Sequence, residues 1–279
     1  MVYDNKLGIL LDAPAKVNLG LYVGKKYKNR HRIYTVIAPL SLHDELLIKP
    51  NNEHTVNIYN KGIELNIPLE ENAIYKAYQV LKSRYEIPGV DVYLNKQIPV
   101  CSGLGGESSD VATMLAGCAR LFNLDVVDTM FDMGAELGSD AVAFLFNEAC
   151  SQKGLYTHIR PLHKSFNEDV YLIIPKLTKP STKEMYERID QAVKLGMLSY
   201  FDKTKSFSED ENMFEYVSPV KDYLKRLREV AQGYNVKLNL VGSGNAIMMR
   251  GRDQERFITA LKNETSLLEN VSILQTHIE

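Results

Sequence analysis

Ile98-Pro99-Val100-Cys101-Ser102-Gly103-Leu104-Gly105-Gly106-Glu107-Ser108-Ser109-Asp110 joins a β-type run, ended by Pro99, to an amphipathic stretch from Val111 to Phe122. Glycine at 103, 105 and 106 lets the backbone take positive φ and come close to a ligand. The helix N-terminus behind the glycines offers unpaired N–H groups and a partial positive charge. Hydroxyls at Ser108 and Ser109 add hydrogen bonds or a metal ligand. Together these features predict a phosphate cradle. A flexible loop ahead of an ordinary helix is the other reading, as it is for any lone glycine cluster.

The details narrow the choice. No Gly-Lys-Ser/Thr follows the glycines, which excludes a Walker A loop. Ser108 stands where the dinucleotide fingerprint needs its third glycine, which excludes that motif as well. The segment resembles the second motif of the GHMP kinases, Pro-x-x-x-Gly-Leu-Gly-x-x-Ser-Ser. Two further segments stand in family-like order around it. One is Ala13-Pro14-Ala15-Lys16-Val17-Asn18-Leu19-Gly20-Leu21, and the other is Leu240-Val241-Gly242-Ser243-Gly244-Asn245-Ala246. Within the superfamily the resemblance is to the 4-diphosphocytidyl-2-C-methyl-D-erythritol kinases. Its further support is His31 followed by Thr35-Val36, then Leu42-x-Asp44-Glu45-Leu46 and the run Gly-Leu-Gly-Gly-x-Ser-Ser-Asp. It covers nearly the whole chain and is clearest before Phe146.

Composition describes a soluble enzyme of 279 residues, long enough for one large lobe or two modest ones. A net charge of −2 gives no support for nucleic-acid binding, so any attraction for anions must be local. No signal peptide is visible, and no apolar run approaches the length of a membrane span. Cys101, Cys118 and Cys150 have no metal-ligand spacing and read as reduced thiols of a cytosolic protein. For Cys101, packing is the expected role.

Strands are expected at Leu7–Leu11 and Val17–Val23, flanking a turn at Lys16, and at Leu46–Lys49, Thr55–Tyr59 and Val90–Leu94. Ala73–Arg84 reads as a helix capped by Asn72, and Asp125–Leu137 as a helix ending at Gly138. In the second half, Val170–Ile174 is a strand, and Ser181–Leu195 is a helix with a capping box to Glu184. Helices at Pro219–Ala231 and Asp253–Lys262 and strands at Val236–Val241, Ala246–Arg250 and Val271–His277 complete the pattern. Without regular βαβ alternation the fold class is α+β. The resemblance implies a two-lobed GHMP kinase fold with the active site in the cleft between lobes. The expected division is 1–166 and 167–279.

Phosphoryl transfer needs a phosphate cradle, a positive group near the moving phosphoryl, and a base near the acceptor hydroxyl. The resemblance implies that Asp140, in Gly138-Ser139-Asp140-Ala141, is the catalytic carboxylate that takes the hydroxyl proton. Lys16 matches the family lysine, which holds the hydroxyl and stabilises charge on the transferred group. A salt bridge tying two segments together is the bland reading of that pair. Pro99, Gly103, Leu104, Gly105, Gly106, Ser108 and Ser109 are the nucleotide-binding candidates, with Ser109 also the metal candidate. The implied substrate-binding residues are Asn18, Arg30, His31, Tyr186, Gly242, Ser243 and Gly244. His31 matches a histidine that reads the cytosine edge, and Tyr186 an aromatic that covers the base. Without the family, His31 reads as a surface-loop histidine and Tyr186 as packing. The run Lys25-Lys26-Tyr27-Lys28-Asn29-Arg30 either contacts phosphates or is a solvated loop.

Several positions depart from the family pattern. Arg30 replaces the aromatic that stacks on cytosine, Met213 follows Asn212 where Asp is usual, and Glu107 stands where glycine is usual. The Pro common after the catalytic aspartate is missing. The expected activity is ATP-dependent, Mg²⁺-assisted phosphorylation of a small-molecule alcohol, without nucleic acid or membrane, by a cytoplasmic monomer or homodimer. A GHMP-type kinase for another alcohol and a nucleotide-binding homologue without catalysis are the alternatives.

Overall fold

The computed structural model describes residues 8–126, 129–138, 140–155, 158–178, 180–202 and 206–279. Leu7 and Ser139 lie outside the described residues. In chain order the elements are β1 (Ile9–Tyr27), β2 (Arg30–Asn51), β3 (Val56–Gly62), α1 (Ala73–Arg84), β4 (Gly89–Lys96), α2 (Gly106–Leu121), α3 (Met130–Leu137) and α4 (Ala141–Phe144). There follow β5 (Cys150–Gly154), β6 (Ile159–Pro161), β7 (Glu168–Pro175), α5 (Thr182–Lys194), α6 (Lys221–Val230), β8 (Val236–Leu240), β9 (Ile247–Gly251), α7 (Gln254–Leu261), α8 (Thr265–Leu268) and β10 (Val271–Ile278). This is the mixed α+β architecture the sequence predicts.

Two compact units emerge, each built from three chain segments. The first unit holds Met1–Ala15, Ser41–Pro99 and Gly105–Asn147; the second holds Lys16–Leu40, Val100–Leu104 and Glu148–Glu279. Interleaving arises because β1 and β2 each divide between the units, so no one cut separates them.

In the first unit the end of β2 pairs antiparallel with β4, from Glu45 opposite Asn95 to Asn51 opposite Gly89. On its other side β4 pairs with β3 in parallel, the crossover running through α1. Asn72 caps α1 by accepting the Ile74 N–H at 2.9 Å, as its position before an apolar periodic run predicts. The buried core of this unit includes Leu46, Ile48, Val92, Leu94, Tyr78 and Leu115. Helix α2 lies close to this sheet because Gly117 has no side chain. A Cβ there would sit 2.5 Å from Ile48 Cδ1 and 2.9 Å from Leu11 Cδ1.

In the second unit β5 pairs with β6 and with the first half of β2. Strand β10 meets β2 at Ile278 opposite Leu40 and runs antiparallel along β7. The antiparallel order continues through β9 to β8. Among the described residues, one core forms around Leu21, Tyr22, Ile189 and Phe214 and another around Ile173, Leu224, Leu227 and Phe257. Ser181 accepts from Glu184 N at 3.1 Å and the Glu184 carboxylate accepts from Ser181 N at 2.7 Å, so the predicted capping box opens α5.

Two expected features differ. Lys16 lies inside one continuous strand rather than in a turn between two. Its N–H donates to Leu104 O at 2.8 Å, which keeps the chain extended where a local pattern suggests a break. Cys101 is exposed and takes φ +58, so its thiol does not pack.

Candidate active site

The three glycine-bearing motifs meet backbone to backbone within the second unit. Lys16 N donates to Leu104 O at 2.8 Å, and Ala246 N donates to Ser102 O at 2.9 Å. Gly103 holds φ +88, a conformation that L side chains resist. A Cβ on it would fall 2.4 Å from Val241 O and 2.8 Å from Gly244 N. From the other side, a Cβ on Gly244 would lie 2.1 Å from Ser102 O. Glycine is required at both positions because one backbone rests on the other.

Lys16 is buried beside this contact. Its ammonium donates to Asn18 Oδ1 at 2.7 Å, and Asn18 Nδ2 donates to Thr35 Oγ1 at 3.0 Å. Thr35 in turn donates to Gly20 O at 2.6 Å. The chain of bonds sets the Lys16 rotamer and explains why the polar residues Asn18 and Thr35 are buried here. A Cβ on Gly242 would stand 3.2 Å from the Lys16 ammonium, so the turn at Gly242 leaves room for it. Ser243 is half-buried, its hydroxyl 3.5 Å from that of Thr182.

Asn212, absent from the residues that the motifs single out, supports this turn. Its amide donates to Leu240 O at 2.8 Å and Gly242 O at 2.9 Å, and its Oδ1 accepts from Phe214 N. It therefore holds the Gly242–Gly244 turn in place. Met213 is buried beside it, and its sulfur accepts the Val23 N–H at 3.2 Å. Met213 thus has a packing role that an Asp could not fill. The Asn-Asp pattern was the signal that could have found Asn212.

The start of α2 lies within the first unit. Gly105, at φ +77 and ψ 15, is the residue ahead of α2, and Ser109 N closes the first turn on Gly105 O at 2.9 Å. Gly106, Glu107 and Ser108 follow, with Glu107 exposed, so its carboxylate lies in solvent. Ser108 is half-buried, and its hydroxyl lies 3.7 Å from where a Cβ on Gly138 would be. Ser109 is fully buried, and its hydroxyl has no partner among the described residues. So enclosed a hydroxyl does not fit Mg²⁺, which keeps several waters in its octahedron. Asp140 is half-buried at the start of α4, where its carbonyl accepts the Ala143 N–H at 3.0 Å. Pro99 is half-buried at the end of the segment leaving β4.

His31 sits in a second cluster within the second unit. Its ring lies parallel to Tyr186, with centroids 5.0 Å apart and 10° between planes. Nδ1 is 3.0 Å from Gly24 O, and Nε2 is 3.1 Å from Asp190 Oδ1. Asp190 also accepts from Lys26 at 2.5 Å and from Tyr200 at 2.6 Å. Burial works to raise the Asp190 pKa, but the bonds from Lys26 and Tyr200 and the charge of His31 outweigh it and hold the carboxyl below its usual range. Tyr200 is pushed up to about 12, first by burial and then by its bond to Asp190. Tyr186 meets Phe214 edge-on at 5.0 Å. His31 is thus no solvated loop residue, and Asp190, Lys26 and Tyr200 join it unannounced by any local motif. Arg30 is exposed next to it at the β1–β2 turn, where Lys28 and Asn29 take positive φ. Elsewhere His43 falls near Asp12 and Glu45, and a surface ion pair of 3.7 Å between His43 and Asp12 accounts for that grouping.

Among the described residues no helix is long and apolar enough to cross a membrane. Residues 72–148 match the model of the GHMP kinases N terminal domain. The chain is 28% identical over 263 residues to the 4-diphosphocytidyl-2-C-methyl-D-erythritol kinase of Sulfurihydrogenibium sp. (strain YO3AOP1), covering 87% of this chain and 91% of that protein. It is 30% identical over 265 residues to a Streptococcus mutans serotype c protein provisionally named as the same kinase, covering 89% and 92%. A crystal structure of 4-(cytidine 5'-diphospho)-2C-methyl-D-erythritol kinase superposes with a TM-score of 0.68 at 25% identity, over 97% of this chain and 100% of that one. Methanococcus jannaschii mevalonate kinase shares the fold, with a TM-score of 0.64 at 14% identity over 98% of each chain. With its three glycine motifs joined around Lys16 and these relatives matched over most of their length, the chain is a small-molecule kinase that belongs to the GHMP kinases, in the family of the 4-diphosphocytidyl-2-C-methyl-D-erythritol kinases.

Proposed function

We propose that this kinase transfers the terminal phosphoryl group of ATP to the hydroxyl of 4-diphosphocytidyl-2-C-methyl-D-erythritol, a step of non-mevalonate isoprenoid precursor synthesis. The observation that carries the reading is the meeting of Lys16, the 102–104 backbone and the Gly242–Gly244 turn. In this reading Asp140 accepts the hydroxyl proton as the alcohol oxygen bonds to phosphorus. The bond from that phosphorus to the β,γ-bridging oxygen breaks, and ADP leaves with its electrons. Lys16 offsets negative charge on the equatorial oxygens, and amide N–H groups at Gly105–Ser108 hold the remaining phosphates. Mg²⁺ enters with the nucleotide as part of the substrate, where it neutralises phosphate charge. No step is assigned to Ser109.

His31, Tyr186, Arg30 and Asn18 serve the alcohol substrate, together with Gly242, Ser243 and Gly244. The Asp190 carboxylate beside His31 supports a base that carries an amino group, since a carboxylate only accepts hydrogen bonds. The enzyme acts in the cytoplasm as a monomer or homodimer. A second reading, a kinase for another small alcohol, is favoured by one observation: His31 and Tyr186 stack on each other rather than standing apart around an open slot.

The deciding experiment is an assay of the purified protein with ATP against a panel of alcohols. ADP release confined to the cytidine diphosphate alcohol is expected. Comparable turnover of homoserine, mevalonate or a sugar in place of it would overturn the substrate assignment.

A further inference from the structure

Lys96, Asp44 and Asp110 form a buried charged cluster within the first unit that no catalytic role above uses. Lys96 is 4% exposed, Asp44 0% and Asp110 4%. The Lys96 ammonium lies 2.5 Å from Asp44 Oδ2 and 2.8 Å from Asp110 Oδ2. The other Asp44 oxygen accepts the N–H groups of Gln97 at 2.6 Å and Ile98 at 2.8 Å. Lys96 ends β4, Gln97 and Ile98 lead into the glycine loop, and Asp110 lies in the second turn of α2. The same ammonium would be 2.9 Å from a Cβ on Gly106, so it rests against the first residue of that helix.

These contacts tie the strand before the loop to the helix after it. We infer that Lys96, with Asp44 and Asp110, is a positioning residue that clamps the two stems of the phosphate loop and thereby sets the nucleotide-binding geometry. The inference rests on reading the loop as the phosphate cradle. Stability alone does not explain the cluster. Burying one ammonium and two carboxyl groups takes three ionisable groups out of water, and the second carboxyl must either hold a proton or leave one negative charge uncompensated, an arrangement that well-packed apolar residues commonly match or better. Asp110 Oδ1 has no hydrogen-bond partner among the described residues, a further cost that a purely stabilising pair would avoid. What the cluster does supply is direction: four bonds fix residues 96–98 and 110 against one another.

The test compares Asp110→Leu with Asp110→Asn. Leucine removes the bond to Lys96 and leaves the neutral Lys96–Asp44 pair, whereas asparagine keeps an oxygen that can accept it. The clamp predicts that Asp110→Leu raises KM for ATP at least about fivefold with KM for the alcohol unchanged, and that Asp110→Asn stays near native. A merely structural role would lower the melting temperature without separating the two KM values. Lys96→Met supplies the same reading from the other partner if the leucine variant fails to fold. Folded variants with native KM for ATP would overturn the clamp. If the unaltered protein binds no ATP, the cradle reading falls instead. Amide exchange then decides the clamp: faster exchange at 97–110 in the leucine variant supports it, and native exchange overturns it.

Discussion

The imidazole of His31 lies face to face with the Tyr186 ring, 5.0 Å between centroids, while its Nε2 points to Asp190. One face of the tyrosine is therefore occupied by protein, and an acceptor carboxylate stands at the histidine's edge. An incoming pyrimidine with an amino group can donate to Asp190, whereas one with a carbonyl there meets another acceptor. Cytidine diphosphate should therefore bind at least about tenfold more tightly than uridine diphosphate, because a mismatched buried polar group is costly. Asp190→Asn and His31→Ala should each narrow the gap. Calorimetry with both nucleotides measures it, and equal affinities unmoved by either substitution would point to a different alcohol.

Asp140→Asn and Lys16→Ala are each expected to lower turnover by at least about a hundredfold with the fold retained. Nucleotide binding should survive Asp140→Asn, since the cradle amides do not include it. Single-turnover rates together with circular dichroism separate lost chemistry from lost structure. Native turnover in either variant would remove that residue from the mechanism.

Gly103→Ala tests the backbone contact. The new methyl would meet Val241 O at 2.4 Å and would force alanine to hold φ +88. Left-handed backbone alone costs a non-glycine residue about 1–2 kcal/mol, and the clash adds to that. The expected result is a clearly lower melting temperature and weaker ATP binding, and a protein that melts and binds as before would show that the contact yields.

Asp110 gives the stability a pH dependence. Burial is the main cause that lifts its pKa from 3.8 to about 7; Lys96 opposes the shift and Asp44 adds to it. Between those two values the folded chain holds a proton that the unfolded chain has lost. The contribution is thus fully present below about 3.8 and is lost as pH rises through about 7. Asp110→Asn should flatten stability between pH 4 and pH 7.5 and raise it at the upper end, by on the order of a few kcal/mol at most. Denaturant titrations at both pH values read the difference, and a native slope in the variant would show that another group titrates.

Local signals in the sequence were reliable where the cause is local. The Asn72 cap and the Ser181–Glu184 box each bond within three residues, so spacing alone reveals them. The glycine loop was readable because αL backbone leaves few residue choices at Gly103 and Gly105. The neighbours of Lys16 suggest a turn because the partner of its N–H, Leu104, is remote in sequence. Lys96 stands 52 positions from Asp44 and 14 from Asp110, a grouping that only the folded sheet creates. Asp190 is hidden in the sequence for the same reason, since one polar residue on the amphipathic helix α5 looks like any other until His31 is beside it.

The seat of Gly103 against Val241 and Gly244 has a consequence for synthesis on the ribosome. Val241 stands 138 positions after Gly103, so the seat is translated well after the loop. At about 5–20 residues per second, on the order of ten seconds pass between emergence of the loop and emergence of its seat. During that interval a nascent chain carries the loop without the residues that seat it. A chain terminated before Val241 lacks the surface on which Gly103 is set.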